Sequence, residues 1–340
     1  MLLIQRREKS VSQNDILKVE NLKKYFPVEK SFLEKMLTRT RSFVKAVDDV
    51  SFSVRRGEVF TLAGESGCGK TTTGRLIVRL IPPTSGKIFF DNVEITALKG
   101  ELLRVLKRRI QIIFQDPYAS LNPRMKIGDA VGHPLEIHGL AKQEEKRKRV
   151  LQILEHVGLT PPEKFLDLYP HQLSGGQRQR AAMARSLILQ PEFIVADEPV
   201  SMIDVSLRTA IIDLMLNLRK EFGLTYLFIT HDLAIAKYIS DRIAVMYLGK
   251  IVELGDNQTI FSNPMHPYTQ ALLSAIPVPN PERKRKKAEL IGDVPSAINI
   301  PSGCRFRTRC RYGEDACKEK EPELIPVSPN HYVACGLVEK

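Results

Sequence analysis

GESGCGKTT, at residues 64–72, is the most informative segment of this 340-residue chain for its fold. It fits the pattern G-x-x-x-x-G-K-[ST], which marks a phosphate-binding loop when a strand precedes it and a helix follows. Both neighbours are predicted here, because residues 58–63 form a short apolar run typical of a buried strand and residues 72–80 have helical spacing. The sequence therefore predicts a strand, a phosphate-binding loop and a helix in that order.

The residues of this loop have distinct predicted contacts with a nucleotide. Glycines let backbone N–H groups approach phosphate oxygens without a Cβ in the way, and the helix N-terminus adds partial positive charge there. We expect Lys70 to reach the β- and γ-phosphates and the Thr71 hydroxyl to bind Mg²⁺. The predicted nucleotide-binding residues of the loop are Glu65, Ser66, Gly67, Cys68, Gly69, Lys70, Thr71 and Thr72.

Composition places the chain among ordinary globular proteins, with 43% hydrophobic and 26% charged residues. Apolar runs stay below the ~18 residues that a membrane span needs, and the N-terminus lacks a secretory apolar region, so we expect a cytoplasmic protein. The net charge of +12 permits contact with nucleic acid or anionic lipid. The basic runs at 146–149 and 283–287 lack interleaved aromatic residues, which favours a solvated surface instead.

Strands that alternate with helices predict an α/β protein whose ligands bind at the carboxyl ends of the strands. Helical spacing predominates over about 117–190 and predicts an all-helical subdomain. A short helix is expected in the basic segment 28–42, around Leu33, Met36 and Leu37. Prolines recur beyond residue 261 and favour an irregular, loop-rich extension, so the predicted division is 15–260 and 261–340.

Four polar side chains follow predicted strands and should meet at the edge of the sheet that carries the phosphate loop: Gln115, Asp197, Glu198 and His231. Asp197 is a candidate Mg²⁺ ligand and Glu198 a candidate general base for the attacking water. Gln115 is placed to touch Mg²⁺ and water, and His231 to donate to the γ-phosphate. Alone, an Asp-Glu pair would more often be a solvated strand end.

LSGGQRQR, at residues 173–180, is the third signal. It sets a hydroxyl and two glycine N–H groups at a predicted helix N-terminus, which suits an anion. The plain alternative is a serine helix cap with glycine neighbours. Since the chain already has one phosphate loop, we expect Ser174, Gly175 and Gly176 to face a γ-phosphate bound by another subunit.

Taken together, these motifs resemble those of the ATP-binding subunits of ABC transporters. The likeness rests on GESGCGKTT, IIFQDP at 112–117, LSGGQRQR, VADEP at 195–199, Asp204 and THD at 230–232. It implies a mixed-sheet ATPase core in which Phe26 stacks on adenine and Glu198 polarises water. It also implies that Asp204 and the 174–177 element, including Gln177, act across a head-to-tail dimer. Residues 200–203 read VSMI where relatives usually carry Ser-Ala-Leu, and we expect altered packing at the dimer seam.

Three further segments are similar to the oligopeptide/dipeptide permease branch of that family: QDPYASLNPRMKIG at 115–128, NPMHPYTQALLSAIPVP at 263–279 and PSGCRFRTRC at 301–310. The likeness implies ATP hydrolysis that powers peptide import from the cytoplasmic face of the membrane. Implied partners are two transmembrane permease subunits, a second ATP-binding subunit of the same or a related kind, and indirectly an extracytoplasmic solute-binding protein. Sugars or metal chelates stay open as cargo.

A soluble ABC ATPase that acts on nucleic acid or ribosomes is the alternative function, and the net charge permits it. Against it, the chain has a single phosphate loop and a single LSGGQ segment, and no heptad run long enough for a coiled-coil arm. We therefore expect no nucleic-acid partner.

Four cysteines cluster near the C-terminus: Cys304, Cys310, Cys317 and Cys335. In a reducing cytosol a metal or cluster site is expected rather than disulfides. The spacings lack the C-x₂-C of most zinc sites, so spacing alone leaves zinc and an iron–sulfur cluster equally open, with unligated thiols as the third reading. The resemblance to the permease branch favours a four-iron four-sulfur cluster.

Overall fold

The structure is a computed structural model and describes residues 14–28, 42–276 and 292–338. The helix expected around Leu33, Met36 and Leu37 and the basic run at 283–287 lie outside the described residues. In chain order the strands are β1 (Asp15–Pro27), β2 (Phe43–Arg55), β3 (Val59–Ala63), β4 (Ser85–Phe90), β5 (Val93–Glu94), β6 (Ile110–Ile113), β7 (Phe193–Asp197), β8 (Thr225–Thr230), β9 (Arg242–Tyr247), β10 (Lys250–Asp256), β11 (Ile325–Ser328) and β12 (His331–Val333).

The described helices lie in the segments that connect these strands. They are α1 (Lys70–Ile77), α2 (Gly100–Arg109), α3 (Pro117–Ser120), α4 (Ile127–Ile137), α5 (Gln143–His156), α6 (Glu163–Leu166), α7 (Gly175–Leu187), α8 (Val205–Phe222), α9 (Leu233–Ile239), α10 (Asn257–Ser262), α11 (Pro267–Ser274) and α12 (Ala316–Glu319), with a 3₁₀ turn at Pro170–Gln172. Among the described helices, none is both long and apolar enough to cross a bilayer.

The central sheet has eight strands in the order β11-β12-β10-β9-β3-β8-β7-β6. Strands β6, β7, β8, β3 and β9 run parallel, and β10 and β12 continue the sheet in antiparallel pairs. All residues of β3, β7, β8 and β9 are buried, which is why these strands are nearly continuous apolar runs in the sequence. The predicted mixed-sheet α/β fold is confirmed.

A second sheet of four antiparallel strands, in the order β2-β1-β4-β5, covers one face of the central sheet. The layer between the sheets is apolar, and the rings of Phe52 and Phe60 stack across it at 5.0 Å. Helix α1 contributes Leu76 and Ile77 to the same core. The phosphate loop therefore starts from a strand whose two faces are both packed.

Helices α3 to α7 occupy Pro117 to Leu187, inside the segment predicted to be all helical. Their core includes Val131, Leu154 and Met183, and it continues onto the face of the parallel strands opposite the antiparallel sheet. Because this core is continuous with the sheet, the N-terminus of α7 is held by packing, although it projects from the subdomain surface.

The region beyond residue 261 is less irregular than its prolines predict. Strand β12 pairs with β10, and β11 pairs with β12, so the extension adds two strands to the central sheet. The buried carboxylate of Glu253 in β10 fastens this region, because it accepts hydrogen bonds from the Met265 and His266 N–H groups and lies 2.8 Å from His331 Nε2. Strands of three and four residues are too short to leave a readable alternation in the sequence.

Candidate active site

The phosphate loop follows β3 directly and makes two very close backbone approaches. Gly64 has φ +147° and Gly69 has φ +109°, a region that L side chains rarely adopt. A Cβ at Gly64 would collide with the Met246 carbonyl oxygen, and a Cβ at Gly69 with that of Ala46. Glycine is therefore required at both positions, as the motif predicted.

Lys70 lies across the inside of the loop. It is 4% exposed, and its Nζ donates to the Gly64 carbonyl at 2.7 Å and to the Glu65 carbonyl at 2.9 Å. These carbonyls compensate the buried ammonium in the nucleotide-free chain. The charge is thus already at the place where phosphate oxygens are expected.

Asp197 ends β7 beside the first turn of α1. The Thr71 hydroxyl donates to its Oδ1 at 2.8 Å, and the residue is 2% exposed. Burial raises the pKa of the Asp197 carboxyl above its ordinary value, and the hydrogen bond from Thr71 opposes that shift. A buried carboxylate next to a hydroxyl supplies the oxygen ligands that Mg²⁺ prefers.

Glu198 has left-handed backbone, with φ +46°, and this directs its carboxylate along the sheet edge between two neighbours. Gln115 Nε2 donates to Oε2 at 3.0 Å, and His231 Nδ1 lies 3.1 Å from Oε1. The side chain is 12% exposed, so water can reach it. The structure therefore brings together the three side chains that the sequence placed at the ends of different strands.

A cavity of about 570 Å³ opens over the phosphate loop and the Glu198 carboxylate. The predicted residues that line it are Glu65, Ser66, Gly67, Gly69, Lys70, Thr71, Thr72, Gln115, Glu198 and His231. Val44 and Ala46 of β2 complete one wall, and Leu272 and Ala297 come from the C-terminal region. Sequence reasoning missed these four, because apolar residues carry no chemical signature.

Three of the residues predicted for this chain's own nucleotide site stand apart from the cavity lining. Cys68 is turned into the core, where burial raises the pKa of its thiol, so its backbone is the part left to meet a phosphate. Asp197 lies behind Thr71. Phe26 is 37% exposed at the end of β1, with the Lys24 ammonium 5.1 Å from its ring centre.

The LSGGQ segment forms the N-terminus of α7 and lies outside this cavity. Ser174 Oγ accepts from the Gln177 N–H at 3.3 Å, and Gln177 Oε1 accepts from the Ser174 N–H at 3.0 Å. Ser174 and Gly175 are exposed, whereas Gly176 is buried against Leu207. The tip is therefore accessible to a second molecule.

Asp204 precedes α8, the helix whose Leu207 lies against Gly176, and it is also exposed. Apolar side chains surround it at the surface, with Met202 at 63% and Val205 at 75% exposure. Neither Asp204 nor the 174–177 segment lines the cavity over this chain's own phosphate loop.

The C-terminal region contacts the phosphate loop directly, which the sequence did not predict. The Tyr268 hydroxyl accepts from the Glu65 N–H at 2.9 Å. Arg309 donates to both carboxylate oxygens of Glu65, at 2.7 and 3.1 Å. Both residues lie within segments that resemble the permease branch, but nothing in the sequence pairs them with residue 65.

The four C-terminal cysteines lie near one another. Burial raises the pKa of Cys304 to about 11, and the neighbouring thiols of Cys317, Cys335 and Cys310 add to the shift. Burial and the same neighbours also raise the pKa values of Cys310 and Cys335. Across the described ranges, no three His, Cys, Asp or Glu side chains are arranged to hold a metal ion, and this includes the four cysteines.

These features define a P-loop nucleoside triphosphatase: a buried strand, a glycine-dependent loop, a buried lysine, and a carboxylate held by side chains that follow neighbouring strands. The helical subdomain and the exposed LSGGQ tip define its ABC type.

Comparisons with known proteins agree with this class. The family model described as ABC transporter matches residues 47–201, and the model described as oligopeptide/dipeptide transporter, C-terminal region, matches residues 252–317. The chain is 46% identical to the oligopeptide transport ATP-binding protein AppF of Bacillus subtilis, over 96% of this chain and 99% of that protein. It is 49% identical to the putative oligopeptide transport ATP-binding protein YkfD of the same organism, over 95% of each chain.

Among solved structures, the chain is similar to the dimeric post-hydrolysis state of the ATP-binding cassette MJ0796 bound to ADP and Pi. The TM-score is 0.62 at 30% identity, and the match covers 71% of this chain and 98% of that one. This chain belongs to the family of ATP-binding subunits of ABC transporters, in its oligopeptide/dipeptide branch. It is an ATP-hydrolysing subunit.

Proposed function

We propose that this chain binds and hydrolyses ATP to power the import of oligopeptides through an ABC transporter. One observation carries the proposal: an ATPase core and an oligopeptide/dipeptide C-terminal region occur in one chain, and the second contacts the phosphate loop of the first. Relatives named for oligopeptide transport match over nearly the whole length. The C-terminal region thus ties the chain to the peptide branch rather than to ABC ATPases in general.

The proposed hydrolytic group is the Glu198 carboxylate, acting as general base toward water. Gln115 and His231 contact its two oxygens, which holds the carboxylate in one orientation at the cavity wall. His231 follows β8 and its side chain is 56% exposed, so it can turn toward a γ-phosphate without disturbing the strand. Positioning of this kind lowers the barrier because the base needs little reorientation when it takes a proton from the water that attacks the γ-phosphate.

The residues beside Asp197 fit a magnesium ion. Its buried carboxylate has a raised pKa and a hydroxyl neighbour, an arrangement that a cation would stabilise, and Gln115 lies at the same sheet edge. We propose Thr71, Gln115 and Asp197 as its ligands. When bound, Mg²⁺ supplies charge compensation for the phosphates.

We further propose that two ATP-binding subunits face each other head to tail. The Ser174, Gly175, Gly176 and Gln177 tip and Asp204 would then complete the partner's site, while Phe26 contacts adenine at the rim of the chain's own site. The exposure of the α7 tip supports this arrangement, as does the dimeric state of the cassette MJ0796. The partner is a second copy or a related ATPase.

The remaining partners follow from membership of a transporter family. We propose two transmembrane permease subunits docked on the helical subdomain, an extracytoplasmic solute-binding protein acting through them, and a location at the cytoplasmic face of the membrane. No nucleic-acid partner is proposed, and steeply salt-dependent binding of DNA or RNA would overturn that part.

We propose that Cys304, Cys310, Cys317 and Cys335 bind a four-iron four-sulfur cluster. The donor set fits, since all four are thiols, and burial together with neighbouring cysteines raises the pKa values of Cys304, Cys310 and Cys335, which places these side chains close to one another. Their sulfurs would draw together on binding, because the described arrangement holds no preformed group. Such a cluster would crosslink the segments of the C-terminal region that contain these four cysteines.

Iron and acid-labile sulfide, measured after anaerobic purification, test the cluster. We expect both in the parent protein, their loss in Cys317→Ser, and their retention in Cys68→Ser, which removes a cysteine remote in sequence from the four. A colourless protein that contains zinc and no iron would overturn the cluster.

Peptide-stimulated ATP hydrolysis tests the main proposal. The chain should be purified with its membrane subunits and reconstituted in vesicles with the solute-binding protein. We expect oligopeptides to stimulate hydrolysis, and sugars and metal chelates to leave it unchanged. Stimulation by a sugar or chelate alone would replace the proposed cargo.

A further inference from the structure

Glu65, the second residue of the phosphate loop, is held at three separate points. Its N–H donates to the Tyr268 hydroxyl at 2.9 Å, and its carbonyl accepts from Lys70 Nζ at 2.9 Å. Its carboxylate receives two hydrogen bonds from the guanidinium of Arg309. Two of these three points are therefore provided by residues beyond the ATPase core, more than 200 positions along the chain.

Arg309 is itself held rigidly. Its side chain is 5% exposed, and its guanidinium lies 5.8 Å from the ring centre of Tyr247. Phe306, three residues earlier in the same turn segment, packs against Tyr247 and Tyr268 with ring centres 5.3 Å apart in each case. An arginine fixed in this way can transmit the position of the C-terminal region to the loop.

Glu65 compensates the buried charge of Arg309. Within the described residues its buried Nε has no hydrogen-bond partner, so the Glu65 carboxylate is the main compensation for the guanidinium. Two parallel bonds between planar groups also fix orientation, which a single contact would not do.

We propose that Arg309 is a positioning residue for ATP binding. It acts through the Glu65 carboxylate to hold the phosphate loop in the conformation that binds phosphate. The carbonyl of Glu65 and the nitrogen of Lys70 are already bonded, so a displaced Glu65 would carry the lysine with it. The N–H groups of residues 67–69 belong to the same tight loop and would be displaced with it. This inference rests on the proposed ATP site at this loop and adds a determinant from outside the ATPase core.

The experiment is a double-mutant cycle on the full-length protein. Arg309→Gln, Glu65→Gln and the double variant are compared for ATP affinity by titration calorimetry, in a Glu198→Gln background that slows hydrolysis. We expect each single change to weaken ATP binding by about tenfold, and the double variant to bind no more weakly than either single one. With Glu198 restored, KM for ATP should rise while kcat changes by less than about twofold.

Arg307→Gln is the matched control. Arg307 lies two residues earlier in the same segment and bonds only to Ser302 among the hydrogen bonds described for its side chain. We expect its ATP affinity and KM to equal those of the parent. Arg309→Lys tests geometry, since lysine keeps the charge but not the paired bonds, and it should restore less than half of the lost affinity.

Thermal unfolding separates positioning from simple stabilisation. If Arg309→Gln lowers the Tm and leaves the ATP dissociation constant unchanged, the residue only supports the C-terminal region and the inference is overturned. Additive losses in the double variant would overturn it as well. If Arg309→Gln does not fold, Glu65→Gln alone must weaken ATP binding, and normal binding by it overturns the inference. A parent that fails to bind ATP would overturn the proposed ATP site too.

Discussion

The phosphate loop and the tip of α7 both present N–H groups at a helix N-terminus, yet the loop is buried and paired within the chain whereas the tip is exposed to solvent. Every polar part of Glu65 has a partner inside the chain, and Lys70 is buried. Ser174, by contrast, is exposed and bonded to its own helix through Gln177, and Gly175 has open space around it.

The difference distinguishes a binding loop whose contacts one chain supplies from an exposed helix tip that a second molecule can contact. Burial and pairing make the loop ready for phosphate without further ordering, and this lowers the entropic cost of binding. The α7 tip is equally well formed but faces solvent, so the anion site proposed there would act where another molecule supplies the anion. Four substitutions test this contrast, and they are given in order of decreasing effect.

Glu198→Gln should slow ATP hydrolysis by about a thousandfold and leave ATP affinity within about twofold of the parent. The amide keeps the shape of the side chain but cannot accept a proton from water. Single-turnover kinetics and calorimetry would measure both quantities. Glu155→Gln, on an exposed helix face, is the control and should hydrolyse normally. Turnover at the parent rate in Glu198→Gln would mean that the base is another group.

Gly175→Asp tests the other side of the contrast. An added Cβ meets nothing within 4 Å, so the single chain should fold with an unchanged Tm and bind ATP normally. Hydrolysis should fall by about a hundredfold, because the new carboxylate would face the partner's γ-phosphate. Gln152→Asp, an equal charge on an exposed face of the same subdomain, should be nearly silent.

Mixing Gly175→Asp with Glu198→Gln sharpens that result. If two copies of this chain pair, one site of the mixed dimer has an intact Glu198 and receives an intact tip, and part of the hydrolysis should return. Loss of ATP binding in Gly175→Asp alone would show instead that the tip serves its own chain's site.

Asp197→Asn should stabilise the nucleotide-free protein by about 1 kcal/mol at neutral pH. Burial raises the folded-state pKa above the unfolded value, so the ionised carboxylate costs stability, and this cost grows as pH rises from the unfolded pKa through the folded one. Denaturant unfolding at several pH values would measure it. The gain should shrink at low pH and reverse when Mg²⁺ and ATP are added, whereas a variant less stable at every pH would contradict it.

Val205→Ser should have the smallest effect of the four changes. The side chain is 75% exposed, so the free energy of unfolding should change by less than about 0.5 kcal/mol. ATP-dependent dimerisation in the Glu198→Gln background should weaken by about threefold, since a seam loses apolar contact. Sedimentation at several protein concentrations would detect this, and an unchanged dimer constant would place the seam elsewhere.

Features that follow from local sequence pattern could be predicted, whereas features that depend on pairing between distant residues could not. Asp197, Glu198, Gln115 and His231 could be placed at one sheet edge because each ends an apolar strand and parallel strands align their carboxyl ends. The extension could not be read in this way. Its strands β11 and β12 are short, and the pairing of β12 with β10 joins residues about eighty positions apart, such as Glu253 and Val333.

Local sequence was enough to predict the strand, the glycine-dependent loop, the helix after it and the capped tip of α7, because each depends on backbone geometry within about ten residues. Long-range packing, in contrast, buries Asp197, turns Cys68 into the core and brings Arg309 to Glu65 from 244 positions away. A residue pattern contains no distances, and Arg309 looks like any other arginine in a basic segment. Its contact with Glu65 is supported by packing against Tyr247 and by the cluster of Tyr247, Phe306 and Tyr268, which come together only in the folded chain.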